Sequence, residues 1–207
     1  MIDTLYMKSA MLFGAISLAG GATGQDVTNM EREQALRYLA ESRAGVIEAV
    51  KGLSEAQFNF KPAPDRWSVA ETLEHIAIVE DAVLTGRARL EKGPAPAADR
   101  NVKQLDAMIL EKVPDRSIKV QAPPRLFPTG HTTPAASLER FLASRQQMVN
   151  WLKSDSDLRG HVAEHPVFGP LDGYQWILAA AGHSERHTKQ ILEVKADPNF
   201  PANQETE

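Results

Sequence analysis

Residues 171–195 read "LDGYQWILAAAGHSERHTKQILEVK". Asp172 with Gln175 three positions on forms a capping box, in which two side chains satisfy the free amides of a helix start. Asp197 and Pro198 stop the pattern at the other end. Between them Trp176, Ala180, His183, His187, Gln190, Ile191 and Val194 share one face of the helix. That stripe is apolar at both ends and imidazole in the middle. Burying an imidazole without a partner costs about 1–3 kcal/mol, so two of them on a core face demand an explanation. His183 and His187 stand one turn apart and about 40° apart around the axis, which lets two rings grip one ion.

Three more long helical patterns precede this one. The first covers residues 29–51, opened by the capping pair Thr28 and Glu31 and striped by Leu36, Leu39, Val46, Ile47 and Val50 before Gly52 ends it. Ser54 and Gln57 cap a short turn, and "KPAPDRW" breaks the chain. The second pattern starts at Ser68 with Glu71 completing the cap. It carries Thr72, His75, Ile76, Val79 and Val83 on its stripe and fades by Leu90. The third begins at Thr133 and Pro134 and turns Leu138, Phe141, Leu142, Met148 and Leu152 inward. The second and third are separated by roughly forty residues, far beyond the ~2–8 of a tight helix hairpin. That connection should hold a small helix over 102–113 and then the proline-rich stretch "KVQAPPRLFPTG". A link this long allows its two helices to run parallel. The expected fold is all-α: a four-helix bundle with one long crossover between its second and third helices.

The chain has 207 residues, 43% of them hydrophobic and 24% charged, with a formal net charge of −4. This is enough for one domain with a sizeable core. No basic patch stands out, so nucleic acid is not expected as a partner. Without any cysteine, disulfides, thiolate metal sites and a cysteine nucleophile are excluded. Residues 1–24 read as an export signal: Lys8, an apolar run over 10–19, then Ala22-Thr23-Gly24 before Gln25, with Met7 as the better start. The apolar run is too short to span a bilayer comfortably. The alternative for this segment is a short first helix of the domain. The expected organisation is a signal peptide over 1–24, the bundle over 25–198 and a tail over 199–207, in an exported, periplasmic or secreted protein with no membrane span after processing.

His75 is a third histidine on a buried stripe. Together with His183 and His187 it predicts a three-imidazole cluster around one divalent ion, for which zinc, nickel or iron suits the donors. Glu71, one turn before His75, is either an outer partner that orients the ring or only the capping residue. Gln190, one turn beyond His187, either hydrogen-bonds near the ion or packs. Trp67 either staples the start of the second helix or lines a pocket. Glu185 does not make an H-E-x-x-H protease motif: two residues after His183, it points about 200° away, towards solvent. His161 and His165 share the four-residue spacing, but Gly160 and Pro166 argue for loop positions. His131 is expected to be exposed.

Two segments, "LSEAQFNFKPAPDRWSVAETLEHIAIVE" and "HPVFGPLDGYQWILAAAGHSERHTKQILEVK", resemble the DinB/YfiT-like superfamily in its DinB-like form. The most specific matches are W-S-x-x-E-x-x-x-H at Trp67, Ser68, Glu71 and His75, and H-x-x-x-H-x-x-Q at His183, His187 and Gln190. The resemblance implies a four-helix bundle, a divalent metal on His75, His183 and His187, and a homodimer. It also implies one of two activities on a small molecule, thiol transfer with a low-molecular-weight thiol or metal-dependent hydrolysis. Three neutral histidines leave one coordination position open, as catalytic zinc sites do, and the motifs name no catalytic base. An export signal departs from the cytosolic thiol-using members, because such thiols are scarcer outside the cytoplasm. The competing expectation is a non-catalytic metal-bearing module that binds a small ligand or answers stress.

Overall fold

A computed structural model describes residues 26–202. The export segment expected over 1–24 lies outside the described residues, as do positions 203–207 of the tail. The described residues form six α-helices: α1 (Asn29–Val50), α2 (Glu55–Asn59), α3 (Val69–Leu90), α4 (Val102–Lys112), α5 (Pro134–Ser154) and α6 (Gly173–Lys195). The capping boxes at Thr28/Glu31, Ser54/Gln57, Ser68/Glu71 and Asp172/Gln175 are all present with both reciprocal bonds. Gly52 follows α1 at φ +69°, a left-handed conformation that a side chain would strain. Among the described residues no helix is long and apolar enough to cross a membrane.

Helices α1, α3, α5 and α6 make the bundle, and side-chain contacts fix their directions. Tyr174 at the start of α6 donates to the Glu31 carbonyl at the start of α1, at 2.9 Å, and Lys195 at the end of α6 donates to the Ala49 carbonyl, also at 2.9 Å. These two helices therefore run parallel. Glu80 pairs with Arg145 midway along α3 and α5, and Arg87 Nη2 lies 3.4 Å from Asp155 Oδ2 at their ends, so that pair is parallel as well. A chain leaving the end of α3 must travel back along a 22-residue helix, roughly 33 Å at 1.5 Å per residue, before α5 can begin. This is the physical reason for the long crossover. Along it lie α4 and a single 3-10 turn at Pro124–Leu126.

The segment 161–172 differs from its sequence reading. Instead of a loop it forms an antiparallel hairpin, β1 (Val162–His165) and β2 (Gly169–Asp172), with His165 opposite Gly169. Gly169 turns the chain at φ +69°. The hairpin is fastened by charge: buried Arg159 donates to Asp106 Oδ2 at 2.7 Å, Asp172 Oδ2 at 2.9 Å and Glu31 Oε1 at 3.0 Å. Arg100 adds a 3.0 Å bond to Asp172. One guanidinium thus ties the starts of α1 and α6 to α4.

Candidate metal centre

His75 on α3 and His183 and His187 on α6 come together inside the bundle, each offering one nitrogen within 4.8 Å of the other two. Ring centroids are 4.9 Å apart for His75 and His183, 4.6 Å for His75 and His187, and 4.3 Å for His183 and His187. His75 is 2% exposed and His187 8%; His183 is half-buried as a residue, while its Nδ1 is cut off from solvent.

Outer contacts decide which nitrogen each ring presents. His75 Nδ1 lies 2.7 Å from the Leu126 carbonyl oxygen. A carbonyl can only accept, so His75 carries its proton on Nδ1 and its lone pair on Nε2. His187 Nδ1 lies 2.9 Å from Gln190 Oε1, which also accepts from Arg116 Nη1 at 3.0 Å. Because arginine only donates, the amide oxygen is the atom facing both, and His187 is likewise protonated on Nδ1 with Nε2 free. His183 Nε2 lies 3.1 Å from His75 Nε2, and its own Nδ1 is buried with no hydrogen-bond partner. With His75 Nε2 a lone pair, His183 must spend its proton on that contact and bury an unpaired acceptor. Moving that proton to Nδ1 turns the third lone pair inward. Two fixed acceptors and a third that is poorly satisfied as it stands are a donor set that fits a divalent cation.

Burial also keeps the rings neutral. Desolvation pushes His183 and His187 well below the ordinary histidine value, reinforced for each by neighbouring imidazoles. His75 is lowered by burial against the opposing bond to Leu126. At the hairpin, burial takes His165 down to about 4; its ring packs at a tilt against Trp176, with centroids 5.0 Å apart, and Phe168, 5.2 Å apart. In the unfolded chain these imidazoles titrate near 6.5. Between that value and the lower folded ones the unfolded chain holds more protons, so stability falls as pH drops below about 6.5. For His165 the loss continues to about 4. Urea midpoints of the metal-free protein should be lower at pH 5.5 than at pH 7.5, and His165→Gln should flatten the difference. A midpoint unchanged between these pH values would contradict the burial of the rings.

The remaining residues sort as follows. Glu71 does not reach His75. Its carboxylate accepts from Ser68 N at 2.8 Å and from Lys61 at 2.7 Å, because a helix side chain leans back towards the N-terminus. The partner of His75 is a main-chain carbonyl instead. Gln190 is an outer partner of His187. Trp67 lines the site, 4.7 Å from the His75 ring and 6.3 Å from His187, with the half-exposed Phe127 edge-on at 6.0 Å. Glu185 points away from the cluster and is partly exposed; it accepts from Tyr38 Oη at 2.8 Å and pairs with Lys189. His131 is exposed, and neither His161 nor His165 joins the cluster. Arg116, Leu126 and Glu74 went unread in the sequence. Glu74 accepts from Thr129, Gly130 and Thr132.

Comparison with known proteins agrees with this architecture. The family model of the DinB superfamily matches residues 24–191. YuaE of Bacillus subtilis (strain 168) is 30% identical over 158 residues, 75% of this chain and 93% of YuaE. Among solved structures, YfiT from Bacillus subtilis aligns with a TM-score of 0.56 at 14% identity, covering 86% of this chain and 93% of its own. YfiT is described as "a probable metal-dependent hydrolase with an unusual four-helix bundle topology". The matched length and the imidazole cluster on its two motifs lead to one assignment: the chain belongs to the DinB superfamily.

Proposed function

We propose that this protein is a metal-dependent hydrolase of a small molecule, with a divalent ion held by His75, His183 and His187. The observation that carries the reading is that the three imidazoles each offer a nitrogen within 4.8 Å of the other two, while Leu126 and Gln190 engage Nδ1 of His75 and His187 and leave their Nε2 free. The description of YfiT as a hydrolase supports the choice of reaction. Zinc, nickel and iron all suit three imidazoles. When bound, such an ion supplies Lewis acidity to a carbonyl or phosphoryl oxygen.

The chain's own residues do the rest. Leu126 and Gln190 orient two of the rings, and Arg116 holds Gln190 in place. Trp67 and Phe127 give the site an aromatic wall that suits an apolar portion of the substrate. Glu71, Glu74 and Glu185 are engaged by Lys61, by the threonines of the crossover and by Tyr38; none of them is assigned the role of base. The leader expected over 1–24 carries the further proposal that the protein works outside the cytoplasm, which favours hydrolysis over transfer to a low-molecular-weight thiol.

The test is elemental analysis of untagged protein, followed by ester and amide hydrolysis panels before and after chelation. About one ion per chain is expected, with hydrolysis lost on chelation and restored by the ion. Failure to bind zinc, nickel or iron would overturn the reading. Ion-dependent thiol conjugation without hydrolysis would replace it with the transferase reading.

A further inference from the structure

The crossover carries prolines at 123, 124 and 128, with Pro134 opening α5, and between them the chain meets His75 through Leu126 and Trp67 through Phe127. Glu74, the chain neighbour of His75 on α3, is 3% exposed. Its Oε1 accepts from Thr129 Oγ1 at 2.6 Å and from Thr132 Oγ1 at 2.9 Å, and its Oε2 accepts from the Gly130 amide at 3.0 Å. Gly130 sits at φ +72°, a conformation that favours glycine and aims its amide at the carboxylate. Three residues upstream of Thr129, the Leu126 carbonyl receives the His75 Nδ1 proton.

Only Phe127 and Pro128 separate that carbonyl from the segment Glu74 holds. Pro128 fixes its own φ and narrows the choices of Phe127. Pro123 and Pro124 stiffen the other side, where the 3-10 turn ends at Leu126. A short stiff strap anchored at 129–132 leaves its carbonyl little room to drift. We propose that Glu74 is a positioning residue: by latching the strap to α3 it keeps the Leu126 carbonyl on His75, and so keeps the His75 lone pair on Nε2, facing the cluster. The latch and the ring it steers are adjacent in sequence, yet they are connected through a segment more than fifty residues away.

Glu74→Gln tests this with little change in shape: the charge is lost, and the amide that replaces one oxygen must either oppose the Gly130 N–H or reverse the two threonine bonds, so the charge-assisted bonds of the latch are lost or weakened. Imidazole nitrogen chemical shifts of the metal-free protein at neutral pH report the His75 tautomer directly. The expected result is a His75 held as the Nδ1–H form in the parent protein and mixed between both forms in Glu74→Gln. The same shift is expected in Thr129→Val/Thr132→Val, which keeps the carboxylate and removes two of its donors. Zinc affinity by competition with a chromophoric chelator should fall about 10–100-fold, the usual effect of losing an outer partner. This second readout rests on the metal reading. A parent protein that binds no zinc, nickel or iron would sink that reading, while the tautomer would still decide the role of Glu74. His75 remaining wholly in the Nδ1–H form in both variants would overturn the proposal.

Discussion

Replacing His187 by alanine is expected to reduce ion affinity by more than about 100-fold, beyond the ~10–100-fold of an outer partner. His187 is the ring with the most specific support: Gln190 fixes its tautomer, Arg116 fixes Gln190, and the ring lies 4.3 Å from His183 and 4.6 Å from His75. Without it two neutral donors remain, from different helices, and the ion loses a third of its protein ligands. Thermal or urea unfolding reads the effect without an activity assay. An ion present at about 100 times its dissociation constant stabilises the folded state by about 2.7 kcal/mol. At the same concentration, a variant with 100-fold weaker binding would gain only about 0.4 kcal/mol. Gln190→Leu should fall between, because it leaves all three rings and removes one restraint. Undiminished stabilisation of His187→Ala by zinc, nickel or iron would mean that the ion binds elsewhere.

The features that could be read from the sequence are those that act within one helix. A capping box joins positions three apart, so Thr28/Glu31, Ser68/Glu71 and Asp172/Gln175 can be recognised in a string of letters, and each forms. A buried stripe recurs every three or four residues, so His75, His183 and His187 could be placed on facing surfaces before any coordinates. What holds those rings in their working orientation was not legible. The Leu126 partner is a main-chain carbonyl, which every residue possesses, and it reaches His75 across 51 positions. Arg116 meets Gln190 across 74. Glu71 was a plausible partner for His75 by spacing, but its carboxylate was already committed to the cap. The hairpin at 162–172 escaped for a different reason. Its strands have four residues each, with Pro166 in the turn between them and Pro170 inside the second, and they depend on Arg159 and Arg100 for attachment.

Glu80→Ala is expected to destabilise the metal-free protein by about 3–5 kcal/mol, the cost of stranding a buried charge without its partner. Arg145 is 1% exposed and reaches from α5 into the centre of the bundle. It pairs with both oxygens of Glu80 on α3, donates to the Leu39 carbonyl at 2.7 Å and Ser42 Oγ at 2.6 Å on α1, and donates to Ser184 Oγ at 2.9 Å on α6. Ser184 in turn donates to Glu80 at 2.9 Å. Truncating Glu80 leaves the buried guanidinium facing neutral acceptors alone. Replacing both partners, as in Glu80→Met/Arg145→Met, removes the desolvation cost along with the attraction and should recover most or all of the stability. Urea unfolding of the two single variants and the double variant measures the coupling directly. A loss under about 1 kcal/mol for Glu80→Ala would show that water or a neighbouring group reaches Arg145. The double variant also separates stability from register. Ser184 follows His183 in the chain, and Glu80 lies five positions beyond His75 on α3. The charged cross-brace therefore sets how far α6 can slide along α3, and with it the meeting point of the three imidazoles. An apolar replacement packs without demanding one alignment, so the double variant should stay folded yet bind the ion more weakly than the parent.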